Sequence, residues 1–217
     1  MFRNREEAGN LLAIALKGYK DNENTVIVSI PRGGVPIGYV IAKQLNVPLD
    51  IVLSKKIGHP HHQEFAIGAV TLNDIILNNN VNNVSNEYIK AEAKRIRAVL
   101  KQREDLYYKN KTPLDLKNKT VIIVDDGVAT GNTLMSCIKL IEQQQPSQII
   151  VALPVGPPSV IKKIEGLPYV KKVVCLETPS FFQAVGQFYQ EFKQVYDKEV
   201  IRLLNRVNTK NHYTFEN

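Results

Sequence analysis

Long apolar runs are absent from the 217-residue chain; none approaches the roughly 20 consecutive apolar residues of a membrane-spanning helix. The opening stretch MFRNREEAGNLLAIALKGY has no uninterrupted apolar core and no small-residue cleavage site. It does not read as a signal peptide, and a cytoplasmic protein is expected. Cysteine is scarce. Cys137 and Cys175 sit beside apolar residues without any metal-ligand spacing, which argues against a disulfide framework or a thiolate metal centre and leaves two buried thiols. No repeat at solenoid spacing and no low-complexity segment occurs, although NNNVNN at residues 78–83 makes a polar break. Neither a GxxxxGK[ST] loop nor a GxGxxG following a strand is present, which argues against an ATPase or a dehydrogenase.

What is present suffices for one core. Hydrophobic residues make up 44% of the chain, and a single domain over residues 1–217 is the simplest organisation. The formal net charge of +7 favours anionic partners, whether a phosphorylated metabolite, a nucleic acid or an acidic protein. Short β-branched runs at Thr25–Ile30, Leu49–Leu53, Thr120–Val124, Gln148–Leu153 and Lys171–Leu176 have the near-continuous apolar character of buried parallel strands. Helical spacing over Asn4–Lys17, Val35–Leu45, Asn86–Tyr108, Asn132–Gln144, Pro158–Glu165 and Lys198–Val207 separates most of them. This alternation predicts an α/β fold, a central and mainly parallel sheet flanked by helices, with ligands in crevices beyond the carboxyl ends of strands.

The most informative segment is VIIVDDGVATGNT at residues 121–133. Apolar strand residues deliver Asp125 and Asp126 at a strand end, while Gly127, Ala129 and Gly131 let the backbone approach a ligand closely. Backbone N–H groups at the start of the following helix, with the hydroxyls of Thr130 and Thr133, make a phosphate cradle. Carboxylates repel phosphate. Two of them beside such a cradle call for sugar hydroxyls that donate to them or for a nearby cation, and a phosphorylated sugar meets the first requirement. The plainer alternative is a buried strand ending in an acidic turn and a helix cap. After the first strand, SIPRGG supplies a charge at Arg32 and frees the backbone at Gly33 and Gly34. This reads as a second anion site, or more plainly as a turn with one exposed arginine.

Across the whole of residues 121–133 the segment resembles the phosphoribosyl pyrophosphate (PRPP) motif of type I phosphoribosyltransferases. The resemblance implies that family's fold, with a small hood from parts of residues 1–20 and 177–217. It implies a PRPP site over Asp125, Asp126, Gly127, Val128, Ala129, Thr130, Gly131, Asn132 and Thr133. Asp125 and Asp126 would bind the ribose 2- and 3-hydroxyls and contribute to Mg²⁺ binding, and Ala129 to Thr133 would hold the 5-phosphate. Gly127 departs from the family, which more usually has an aliphatic residue there. Arg32, Gly33 and Gly34 match the diphosphate loop, often of unusual peptide geometry. Lys55 and Lys56 resemble a basic pair that precedes a mobile loop, here about residues 55–66. Phe181, Phe182 and Val185 lie where the family places its acceptor-selecting hood. The implied reaction displaces pyrophosphate from the anomeric carbon with a nitrogenous acceptor. Arg32, Lys55, Lys56, Asp125 and Asp126 are the candidate catalytic residues, and Mg²⁺ is held largely by diphosphate and ribose oxygens. Family enzymes for 6-oxopurines carry Asp where this chain has Ala129, which weighs against hypoxanthine or guanine. A homodimer is also implied. PRGGVPIGYVIA, EFAIGAV and FQAVGQFYQEF further resemble family proteins of undefined acceptor.

Two features compete for other readings. His59, His61 and His62 lack an accompanying carboxylate or cysteine framework and read as exposed loop histidines. The charged segment Asn86–Tyr108 reads as an amphipathic helix with a solvated face laced with ion pairs, ahead of a nucleic-acid surface. Rival functions are a PRPP-sensing regulator that binds RNA or DNA, and a ribose phosphate hydrolase on the same cradle.

Overall fold

The apolar runs pair into one five-stranded sheet in the order β2 (Leu49–Ile51), β1 (Thr25–Ser29), β6 (Thr120–Val124), β7 (Gln148–Val155) and β8 (Val170–Glu177). Every pairing in it is parallel. The computed structural model describes residues 1–72, 75–77, 84–109 and 112–211, without the side chains of 63, 64 and 208–211. The polar break expected at residues 78–83 lies outside them.

Strand side chains alternate between faces, so continuous β-branched runs must be covered twice. Ile27, Ile122 and Ile150 face a core completed by α1 (Arg5–Ala15), α2 (Gly34–Leu45) and α6 (Asp197–Asn211). Val26, Val28, Val121 and Ile123 face the opposite core, completed by α4 (Asn132–Glu142) and α5 (Pro158–Glu165). Helix α1 starts where Asn4 accepts a hydrogen bond from the Glu7 N–H, 3.1 Å away. The first residues are stitched to a late segment: the Phe2 N–H donates to the Phe188 carbonyl, and Gln190 and Glu191 donate to the carbonyls of Phe2 and Arg3, each at 2.8 Å.

A second, antiparallel sheet joins β3 (Lys55–His59), β4 (His62–Val70) and β5 (Ile75–Leu77). The segment read as a loop at 55–66 is therefore largely a hairpin. Its inward residues Ile57, Ile67 and Val70 share a small core with Ile89, Ala93, Ile96 and Leu100 of α3 (Asn86–Tyr108). The outer face of α3 carries the expected ion pairs, Arg95 with Glu92 at 2.5 Å and Lys101 with Glu104 at 2.7 Å. No helix among the described residues is long and apolar enough to cross a membrane.

Candidate active site

Strands β1 and β6 are neighbours, with Ser29 opposite Val124. Their connections leave in opposite directions across the sheet: β1 leads through α2 to β2, and β6 through α4 to β7. The crevice beyond their carboxyl ends is thus a topological switch point, the place where open parallel sheets receive ligands. A cavity of about 650 Å³ lies there, lined by residues that include Arg5, Arg32, Gly33, Asp125, Asp126, Thr133, Val185 and Phe192. That size suits a small-molecule site.

The two strand-end loops touch because their strands pair. The Ile30 N–H donates to the Val124 carbonyl at 2.9 Å. A Cβ placed on Gly34 would lie 2.6 Å from that same oxygen, and one on Gly33 would lie 2.6 Å from the Asp126 carboxyl carbon. Only glycine permits this approach. The Pro31–Arg32 peptide is cis, an unusual geometry of the kind the resemblance implies for the loop. The Arg32 guanidinium is 4.0 Å from Asp197 at the start of α6 and remains partly exposed.

The paired carboxylates have different surroundings. Burial pushes Asp125 well above the usual carboxylate range, the adjacent Asp126 charge adds to the rise, and a hydrogen bond from the Asp126 N–H (2.8 Å) opposes it. Burial also raises Asp126, opposed by the Arg5 guanidinium, whose Nη2 is 2.7 Å and Nε 3.0 Å from Asp126 Oδ2. The turn beyond them needs glycine at Gly127, with φ +152°, where a Cβ would meet Val185 at 2.6 Å. Val185 thus fills the space that an aliphatic residue at position 127 would take. Gly131, at φ +78°, caps α4, and Ala129, Thr130, Asn132 and Thr133 are exposed around that helix start. An N-terminus with exposed N–H groups and hydroxyls suits a phosphate. Val128 is buried beneath it.

Not every residue singled out in the sequence reaches the cavity. Gly34 and the cradle residues Gly127 to Asn132 lie outside its lining, as do Lys55 and Lys56 at the start of β3, and Phe181 is 71% exposed. Phe182 packs on Phe188, with ring centroids 5.1 Å apart, and so joins the core. Val185 alone of the three hood candidates lines the cavity. Conversely, Arg5 escaped notice, and Tyr189 and Phe192 were read only as members of the aromatic-rich hood segment. Arg5 lies over the Phe192 ring at 3.9 Å, and the Tyr189 hydroxyl donates to the Asp126 carbonyl at 2.7 Å. The aromatic-rich segment signalled the last two, whereas a lone arginine in an amphipathic helix gave no signal.

A family profile described as a phosphoribosyl transferase domain matches residues 3–192. The chain belongs to the phosphoribosyltransferase family. Its fold is α/β, a central parallel sheet flanked by helices. A Mycobacterium tuberculosis protein provisionally named phosphoribosyl transferase is 33% identical over 96% of this chain and 47% of its own length. The chain therefore spans about half the length of the curated relatives it matches. TT1426 from Thermus thermophilus, a crystal structure, is 35% identical over 94% of this chain and 98% of that one, with a TM-score of 0.84. A uracil phosphoribosyltransferase of Mycoplasma genitalium is 42% identical over 65 residues, 30% of this chain and 31% of that protein.

Proposed function

We propose that the protein binds PRPP with Mg²⁺ and transfers its ribose 5-phosphate group to a nitrogenous acceptor, releasing pyrophosphate. The observation that carries this reading is the meeting, in one cavity at the switch point, of Arg32 and Gly33 from one strand with Asp125, Asp126 and Thr133 from the next. The 5-phosphate belongs at the start of α4, the sugar hydroxyls at the carboxylates, and the diphosphate along Pro31 to Gly34. Protein groups do no covalent chemistry here. They orient the anomeric carbon towards the acceptor and stabilise the charge that develops on the departing diphosphate, with Arg32 as the cation that the loop itself carries.

The donor set suits Mg²⁺ only in partnership with the ligand. Among the described residues no group of three or more His, Cys, Asp or Glu could hold a metal, and one Asp126 oxygen is committed to Arg5. Mg²⁺ commonly binds through one or two carboxylates, waters and phosphate oxygens. Asp125 and Asp126 would provide the carboxylates, and the ion when bound would neutralise diphosphate charge. Lys55 and Lys56, at the base of the β3–β4 hairpin, join the leaving group only if that hairpin moves in. The acceptor would enter beside Val185 and Phe192, which line the cavity. The protein would act in the cytoplasm as a homodimer.

A pyrophosphate-release assay with PRPP, Mg²⁺ and a panel of nucleobases and other nitrogenous compounds tests the transfer. Release that depends on one acceptor, and that falls about a hundredfold in Arg32→Ala, is the expected result. PRPP binding without release for any acceptor would favour a sensor, and release without an acceptor would favour a hydrolase.

A further inference from the structure

We propose that Arg5 is a positioning residue of the sugar site, holding the Asp126 carboxylate in the orientation that a ribose hydroxyl requires. This rests on the PRPP reading above and extends it to a residue from the first helix.

Two donors of one guanidinium, Nε and Nη2, converge on a single oxygen, Asp126 Oδ2, at 3.0 and 2.7 Å. The pair is largely withdrawn from solvent, with side-chain exposures of 11% and 14%. Screening is therefore weak, and the bonds are charge-assisted. The same oxygen also abuts the Gly33 backbone, where a Cβ would lie 2.0 Å from Asp126 Oδ2 and 3.0 Å from Oδ1. With Arg5 bonded to Oδ2 and the Gly33 backbone packed against that oxygen, the carboxylate's orientation is restricted. Both Arg5 donors fall on Oδ2, so Arg5 leaves Oδ1 to a hydroxyl of the ligand.

Arg5 also reaches the segment that closes the cavity. Its Nη1 donates to the Lys193 carbonyl at 2.7 Å, and its guanidinium lies 3.9 Å from the centre of the Phe192 ring. From the same segment the Tyr189 hydroxyl grips the Asp126 carbonyl at 2.7 Å. Both the backbone and the side chain of Asp126 are thus held from the Tyr189–Lys193 side, one directly and one through Arg5. The position of Arg5 is itself set by the capped start of α1 and by the Phe2 and Arg3 bonds to residues 188–191. Arg5 is therefore the joint between the sugar site and the segment facing the acceptor.

The same contact in the opposite role would be an arginine that occupies the sugar's place and must leave before binding. The two roles differ in the sign of a single measurement. Calorimetric titration with ribose 5-phosphate, 2-deoxyribose 5-phosphate and inorganic phosphate would be run on the wild-type protein, Arg5→Met and Arg5→Lys, each confirmed as folded by its thermal transition. Wild type should prefer ribose 5-phosphate to its 2-deoxy analogue. Arg5→Met should bind ribose 5-phosphate about tenfold or more weakly, the scale of one charge-assisted hydrogen bond, and lose that preference. Its affinity for inorganic phosphate should change less than about twofold, because the cradle at α4 is untouched. Arg5→Lys should recover part of the loss. Unchanged or tighter sugar binding in Arg5→Met overturns the proposal, as does an equal loss for inorganic phosphate, which would mark Arg5 as scaffold. A folded wild type that binds neither sugar phosphate overturns the PRPP reading itself and the Arg5 proposal with it.

Discussion

Gly33 and Gly127 show how a missing side chain can shape a site. A Cβ on Gly33 has nowhere to go except into the Asp126 carboxyl group. Gly33→Ala should therefore displace that carboxylate and weaken PRPP binding at least about tenfold, with a smaller effect on the unfolding midpoint, since the loop lies at the surface. Calorimetry and a thermal scan check the two halves of that expectation. At Gly127 the strain is both conformational and steric, because φ is +152° and Val185 stands 2.6 Å from where a Cβ would be. Gly127→Val should cost about 2–4 kcal/mol in urea unfolding, and Val185→Ala should return the steric part in the double variant. Cys137 is buried as expected, whereas Cys175, also expected to be buried, is only half-buried; burial pushes Cys137 up to about 12 and Cys175 up to about 11. Few thiolates then exist at pH 8; Cys137 should not react with a thiol reagent until the protein unfolds, and half-buried Cys175 should react slowly before that. The motif residues were legible one by one because each has a distinctive type. Arg5 was not, because a charged residue in the first turn of a helix looks the same whether it faces water or a carboxylate 121 positions away.

The parallel strands and the helices stood out because each carries a strong period over a sufficient length. Strand β6 was read with its observed ends, and α3 likewise. The β3–β4–β5 sheet was missed for a physical reason. Its first hairpin mixes histidines, Pro60 and lysines with only a few apolar positions, and Ile57 and Ile67 find their partners on α3, about 30 residues further along. Lys55 and Lys56 were drawn into the site by resemblance, whereas the hairpin places them at its base. Helix α3 is tied to the main sheet by a buried carboxylate. Asp50 accepts hydrogen bonds from the Tyr108 hydroxyl, from the Ile51 N–H at 2.8 Å and from the Leu114 N–H at 2.7 Å. Burial raises its pKa, and those three bonds oppose the rise. Asp50→Ala would strand buried donors on the strand, the helix end and the following segment. A loss of about 2–4 kcal/mol in urea unfolding is expected, with Tyr108→Phe losing less because only one donor is removed.

For the molecule as a whole, function follows from strand order. Connections that leave β1 and β6 in opposite directions along the sheet create the crevice, the tight pairing of those strands brings the two loops together, and the segment from Phe192 to Val195 lines it beside them. Alternating strands and helices announced the parallel sheet, but strand order depends on which runs pair, and local sequence does not encode that. The acceptor side was less legible still, since Phe181, Phe182 and Phe192 look alike in the sequence and only the last lines the cavity. The central claim is that this cavity binds PRPP through its carboxylates. It is tested most directly by calorimetric titration of PRPP, with and without Mg²⁺, into the wild-type protein and an Asp125→Asn, Asp126→Asn double variant. Magnesium-dependent binding that disappears in a folded double variant is the predicted result. A folded wild type that does not bind PRPP, or a double variant that binds it equally well, would contradict the account.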